Sequence, residues 1–369
     1  MMARAVGLHH QMSHDEFAMP DIRAFLHGAD VILANLESPV ASGGRPDALQ
    51  DPHVTFRAAP RSLDVLKHIG VNVVSLGNNH ILDYGDEALV ETLEHLDAAG
   101  IRRVGAGRTY REANAPLLVE HRGQRVAILA FAFAYSVNTR MASRSRPGIA
   151  DHRMQRILPR IRRLAASGYN VIVTVHWGFE YRFFPLPYQM RHARRMIDEG
   201  ARVVLGHGPH YPQGIEAYRG RDIVYSLGNF IFDEPYKFAK RSFIYDAEIG
   251  ESGGTQNRRI VPVHLPRHVP FVVGGVEARR LEGLIANLGL RYQIAEKEFW
   301  QDHSASYLNE ICGRVLRGRS WKYLRVLPLS FYGDVGPLGV LRMLGRATVR
   351  RLSRTLRRGR RPGQQSARS

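Results

Sequence analysis

Four apolar runs in this chain each stop at side chains able to bind a metal ion or move a proton. Val31–Ala34 precedes Asn35-Leu36-Glu37, and Val71–Gly77 precedes Asn78-Asn79-His80. Asn170–Val175 precedes His176-Trp177-Gly178, and Ala201–Leu205 precedes Gly206-His207-Gly208-Pro209-His210. In an α/β sheet, reacting groups gather beyond the carboxyl ends of the strands, where loops converge on one point. The pattern therefore predicts one shared site. Glu37, His176, His207 and His210 are competent metal ligands, and Asn79 is a weaker, neutral one. Carboxylate, amide and imidazole together suit Mn²⁺, Fe or Zn²⁺ better than an all-oxygen Mg²⁺ or Ca²⁺ cage. A bridging carboxylate could hold two such ions and acidify a bound water, which is hydrolytic chemistry. His80 is then placed to protonate a leaving group, with Asp83 three residues on to orient its ring. Asn35, Asn78, Glu180, Tyr181 and Asn229 are candidates for a supporting or substrate-facing role. Tying loops by hydrogen bonds explains them equally well. Phe179, Tyr181, Phe183 and Phe184 could wall a substrate pocket or simply pack their own loop.

The elements that must position these groups alternate along the first 240 residues. Strands are expected at 30–35, 71–77, 102–104, 117–121, 125–131, 170–175 and 202–205, and helices at 61–69, 86–99, 154–167 and 188–199. Tyr218–Asp222 reads as a hairpin turn leading into a strand over 223–227. The mixture implies a layered α/β domain with some antiparallel pairing. Beyond residue 250, a loop at 251–254 leads to strands at 259–265 and 271–273, then helices at 277–288, 292–300 and 305–316. The expected organisation is an incomplete or disordered segment over 1–28, the main domain over 29–250, an α/β extension packed on it over 251–334, and a basic tail over 335–369.

Of the 369 residues, one is cysteine, Cys312, which excludes an internal disulfide framework and any zinc site built from several thiolates. No run of about 18 apolar residues occurs, and Met1–Asp15 lacks the apolar core of a signal peptide. As written the chain reads as cytoplasmic or peripheral to the membrane. The net charge of +18 invites a nucleic-acid reading. Yet residues 335–369 hold ten arginines and no acid, and without them the charge falls to about +8. Nucleic acid is therefore disfavoured as a partner. The tail reads as a solvated end, or as a helix lying on anionic lipid, because Leu338, Leu341, Leu344, Leu352 and Leu356 alternate with arginines at helical spacing.

The strings at Asn35–Val40, Gly77–Gly85, His176–Tyr181 and Gly206–Asp233 together resemble the CapA family of capsule and poly-gamma-glutamate synthesis proteins, related to calcineurin-like metallophosphoesterases. The match spans about residues 29–233 in order and spacing. It implies a four-layer αββα sandwich, here lacking its first strand; the helical periodicity beyond residue 250 adds a mostly helical C-terminal extension, and the bridging carboxylate implies two divalent transition ions. On that pattern Asn79 is an amide ligand, His80 the catalytic histidine, His176, His207 and His210 are ligands, and Glu37 takes the place of the bridging carboxylate. The family usually opens with a strand ending in Gly-Asp, whose aspartate binds the first metal. Gly7-Leu8-His9-His10 sits nearest and has no aspartate. Either the true start lies upstream, which would also allow a membrane anchor and an extracytoplasmic location, or one metal position is incomplete. The resemblance implies a role with a surface polymer or its precursor and with polymer synthase subunits. The rival reading is a non-catalytic accessory protein that keeps the fold to bind polymer or partner subunits.

Overall fold

The computed structural model describes residues 19–46, 50–133, 139–233, 236–250, 255–266 and 268–294. The helices expected at 305–316 and 338–356, Cys312, the basic tail, and most of the helix expected at 292–300 lie outside the described residues. Within the expected N-terminal segment, Pro20–Leu26 forms helix α1, which buries Ile22 and Leu26. Pro20 suits the first turn because its missing N–H has no partner there in any helix.

Three short strands, β1 (Leu33–Asn35), β2 (Val73–Ser75) and β3 (Arg102–Val104), pair in parallel in the order β1-β2-β3. Helices α2 (Ser62–His68) and α3 (Gly85–Ala98) connect them. The expected apolar stripe of α3, Ala88, Leu89, Leu93 and Leu96, is fully buried. Two bonded dipeptides follow, β4 (Ala106–Gly107) and, later in the chain, β7 (Gly148–Ile149), with the short helix α4 (Tyr110–Ala113) between them in sequence.

A second sheet has six strands: β5 (Leu117–His121), β6 (Gln124–Ala132), β8 (Asn170–His176), β9 (Ala201–His207), β10 (Ile215–Tyr218) and β11 (Arg221–Val224). Their order is β10-β11-β9-β8-β6-β5, with β6, β8, β9 and β11 parallel and the outer two antiparallel to their neighbours. Arg219 and Gly220 make the predicted hairpin turn with positive φ at both positions, 51° and 70°. Helices α5 (Met154–Ala166) and α6 (Pro187–Asp198) pack on this sheet, α5 against β8 and α6 against β9.

Alternation along the strands builds the layers. Val73 and Val104 face inward and meet Val126, Ile128 and Ala130 of β6. The next residue, Val74, points the other way and joins Leu66, Leu89 and Leu93 of α2 and α3. The order of layers is helices, three-stranded sheet, six-stranded sheet, helices, which is the αββα sandwich the sequence implies. Within the described residues β1 has a neighbour on one flank only. A cavity of about 1050 Å³ is lined by Val31, Leu33, Val126, Ile128, Val203 and Leu205, with Glu37, His207 and His210 also in its wall.

After the sandwich, β12 (Arg241–Ile249) and β13 (Thr255–His264) form a long hairpin joined by β14 (Phe271–Val272), and α7 (Gly275–Ile294) follows. The sequence reading ends one helix at 288 and begins another at 292; the structure continues a single helix through Gly289. The glycine there serves close approach rather than a helix end. A Cβ on Gly289 would lie 2.4 Å from the Ile215 carbonyl, and one on Gly214 would lie 2.4 Å from the Gly289 nitrogen.

Candidate functional site

The ends of β1 and β2 supply one side of the site. Asn35 and Ser75 are register partners, so the residues just beyond them emerge side by side. Asn78, fully buried, ties the two loops: its amide donates to the Leu36 carbonyl at 2.8 Å and to Asn35 Oδ1 at 3.3 Å, while its own Oδ1 accepts from the His80 backbone N–H. Asn35 Nδ2 in turn donates to Glu37 Oε2 at 3.1 Å and faces His176 Nδ1 at 3.3 Å. Asn35 thus links the carboxylate of one sheet to an imidazole of the other. Asn79 sits between these anchors, with its main-chain carbonyl accepting from Thr139 Oγ1.

His80 Nδ1 lies 2.8 Å from Asp83 Oδ2. Asp83 is fully buried and also accepts from Gln50 Nε2 and from the Phe56 backbone N–H, each at 2.8 Å. With the carboxylate as acceptor, Nδ1 carries a proton and Nε2 is left for other work. The Phe56 ring covers His80 at 4.5 Å between centroids. Burial opposes the charged imidazolium, but the bond to Asp83 and the charges of Asp83, Glu37 and Glu180 outweigh it and hold the His80 pKa above its ordinary value. Glu180 is itself exposed and contributes to the site through this charge.

The six-stranded sheet supplies the other side. His176 and His207 end β8 and β9 as register partners. Gly208, at φ 113°, passes so close to them that a Cβ would lie 2.5 Å from the Trp177 carbonyl and 3.2 Å from His176 Nε2. Only glycine fits there. Trp177, fully buried, pins the loop by donating from Nε1 to the Tyr225 carbonyl at 3.0 Å. His207 Nε2 lies 3.1 Å from Thr174 Oγ1, and His210 Nδ1 donates to Asn229 Oδ1 at 2.8 Å. Tyr181 stacks on the His210 ring at 5.7 Å.

Glu37 Oε1 and His176 Nε2 face each other at 3.6 Å across the two sheets. Burial alone would raise the Glu37 pKa, but the imidazoles His176, His210 and His80 outweigh it and hold the carboxyl at about 2. Burial takes the rings the other way. His176 is pushed down to about 4 and His207 to about 3, in the latter case with help from His176. At neutral pH Glu37 is an ionised carboxylate and His176 and His207 are uncharged, the protonation states a divalent ion requires of such ligands. In kind, then, Glu37, His176, His207 and His210 fit a borderline transition ion, and Asn229 is the hydrogen-bond partner that fixes the His210 ring. Among the described residues, no three His, Cys, Asp or Glu side chains are grouped as a formed metal site.

Three supports escaped the sequence reading. Thr174 was legible in principle, since it precedes His176 by two on a strand and so shares its face. Gln50 and Phe56 come from an irregular loop whose residue types carry no signal for Asp83.

An αββα sandwich with an imidazole and carboxylate cluster at its strand ends defines the class. The family model of the bacterial capsule synthesis protein PGA_cap matches residues 1–234, and the chain belongs to that family. It is 28% identical over 260 residues to the capsule biosynthesis protein CapA of Bacillus anthracis, covering 69% of this chain and 63% of that one. It is 28% identical over 253 residues to the PGA biosynthesis protein CapA of Bacillus subtilis, covering 68% and 66%. The chain therefore spans just under two thirds of the length of these Bacillus relatives. A probable polyglutamine synthesis accessory protein of Mycobacterium tuberculosis is 33% identical over 286 residues, covering 72% of this chain and 74% of that one. Among solved structures, a hypothetical protein from Thermus thermophilus aligns with a TM-score of 0.42 at 18% identity, over 68% of this chain and 94% of that one. The NAD nucleotidase of Haemophilus influenzae aligns at 0.38 and 16%, over 61% and 42%. No described helix is long and apolar enough to cross a membrane.

Proposed function

We propose that this member of the capsule synthesis family is a metal-dependent hydrolase acting on a phosphoester or related bond in a surface polymer, such as poly-gamma-glutamate or an exopolysaccharide, or in its precursor. The observation that carries the reading is the division of protons within one site: His80 is held in a proton-keeping state by Asp83, while His176 and His207 are kept as lone-pair donors beside ionised Glu37. Glu37, His176, His207 and His210, with Asn79, would hold a divalent transition ion, which supplies a Lewis acid and an acidified water when bound. The chain's own residues do the rest. Asp83 fixes the His80 ring so that Nε2 can deliver a proton to a departing oxygen. Asn35 keeps Glu37 and His176 in mutual reach, and Asn229 fixes the ring orientation of His210. Partners on this reading are the polymer and, through the family resemblance, subunits of its synthase.

The test is hydrolysis of bis-p-nitrophenyl phosphate by protein reconstituted with Mn²⁺, Fe²⁺ or Zn²⁺. The His80→Asn variant should lose about 100-fold or more in kcat with little change in KM, the usual scale for a lost general acid. No turnover with any ion would favour the second reading, a non-hydrolytic accessory protein. That reading draws on the accessory role in the printed name of the mycobacterial relative.

A further inference from the structure

Beside His210 lies a run of aromatic rings that the proposed chemistry does not use. Tyr236 meets Tyr181 edge-on at 4.7 Å, and Tyr211 meets Tyr181 at 5.7 Å. Phe183 meets Tyr211 at 4.8 Å, and Phe238 meets Phe183 at 5.3 Å. Three separate segments contribute, and together they extend the Tyr181–His210 stack. The outer members are open to solvent: Tyr236 is 54% exposed and Phe238 44%. Leaving two large rings two residues apart in water is costly for a loop that only needs to pack.

Two further observations tie this rim to the site. Tyr181 and His210, the pair that stacks, both hold φ near 60°, a region that bulky residues avoid. Their loops are bolted together by the Tyr181 N–H to the Pro209 carbonyl at 2.7 Å. Placing His210 alone would not require Tyr181 to carry that strain, and strain of this kind gathers at ligand clamps. Second, Asn229 accepts from His210 with its oxygen and donates to the Ala239 carbonyl with its nitrogen at 3.0 Å. Ala239 lies in the single 3-10 turn Lys237–Lys240, directly after Tyr236 and including Phe238. One amide thus holds both the imidazole and the turn that presents the exposed rings.

Charge completes the chemistry. Arg182, Lys237, Lys240 and Arg241 belong to the same segments, against Glu180, Asp233 and Glu234, and the Arg241 guanidinium lies 5.9 Å from the Phe238 ring. Aromatic faces carry negative charge and favour the positive C–H face of a flat ring, while the cations favour carboxylate or phosphate. We propose that Tyr181, Tyr211, Tyr236 and Phe238 form a subsite for an acidic saccharide, with its sugar ring on the aromatic rim and its anionic group toward Lys237 and Arg182. The proposal rests on the strand-end cluster being the working site, though not on hydrolysis there.

The experiment is equilibrium binding of three oligomers of matched length to the full chain and to Tyr236→Ala/Phe238→Ala: oligogalacturonate, which is acidic and cyclic; oligo-gamma-glutamate, acidic and acyclic; and cello-oligosaccharide, cyclic and neutral. Both substituted residues are exposed, so folding should be retained, and circular dichroism checks it. Oligogalacturonate should bind the parent at least tenfold tighter than either alternative and lose at least tenfold in the double variant. Lys237→Gln should weaken it further and reduce its salt dependence. Equal or tighter binding of either control, binding indifferent to the two ring deletions, or no binding of oligogalacturonate would overturn the subsite. A hydrolase failure is distinguishable: it appears as a parent that binds oligomer through the rim but turns over no phosphoester.

Discussion

The two sheets bring imidazoles to the same place and keep them in opposite states. At the end of the three-stranded sheet, His80 has a buried carboxyl partner and its pKa is raised. At the end of the six-stranded sheet, His207 meets a neutral hydroxyl and His176 has Glu37 only at 3.6 Å, beyond hydrogen-bond distance; burial wins there, and their pKa values fall to about 3 and about 4. The residue type is the same and burial is common to both halves, so the close carboxyl group decides. A proton donor and a set of lone-pair donors can thus share one site, provided the proton donor has its own anion at hydrogen-bond distance.

The largest expected break of this contrast is Asp83→Ala. It removes the acceptor of three hydrogen bonds, from His80, Gln50 and the Phe56 backbone, in a fully buried place. The loss should be about 3–5 kcal/mol in chemical unfolding, the scale for removing one partner of a buried charged network. His80 should then titrate lower than in the parent in NMR spectra, because only the charges of Glu37 and Glu180 are left to oppose burial.

The next largest effect is expected in the pH dependence of stability, measured on chelator-treated protein. His176 binds its proton more weakly folded than unfolded, so the unfolded chain takes up protons first. Stability should therefore fall as pH drops from about 6.5 toward about 4, on the order of 3 kcal/mol for this ring. Glu37, held at about 2, adds a further loss as pH falls from 4.5 toward that value. His80 has the opposite sign: its contribution is full below about 6.5 and is lost as pH rises through its raised folded value. Substituting His176 by Ala should flatten the upper part of the acid limb, and His80→Asn the alkaline one. Slopes of the same sign in both halves would break the contrast.

Smaller effects separate the supports. Asn229→Ala leaves the His210 N–H without its acceptor in a buried place and should cost about 1–3 kcal/mol. Thr174→Val removes only the hydroxyl facing His207 while keeping the shape of a fully buried residue. About 1 kcal/mol in urea unfolding is expected.

The sequence made much of this visible. The apolar runs ended where their polar clusters began, and each became a strand delivering Glu37, His80, His176 or His207 to one end of the sandwich. The stripe of α3 was readable because leucines three and four apart have no other reason to recur. What stayed hidden depended on contacts distant in sequence. Nothing in the types of Gln50 and Phe56 announces that they will close over Asp83. Gly289 read as a helix break because a glycine without its neighbour in view looks like one, and only the approach of Gly214 gives its purpose. Strand β12 escaped because its burial does not alternate cleanly.

The most direct test of the central claim is elemental analysis of purified full-length protein, after reconstitution with Mn²⁺, Fe²⁺ and Zn²⁺, beside a His207→Ala/His210→Ala variant prepared in the same way. The account predicts at least one tightly held transition ion per chain in the parent and a clear loss in the variant. A parent that retains none, or a variant that retains as much as the parent, would contradict it.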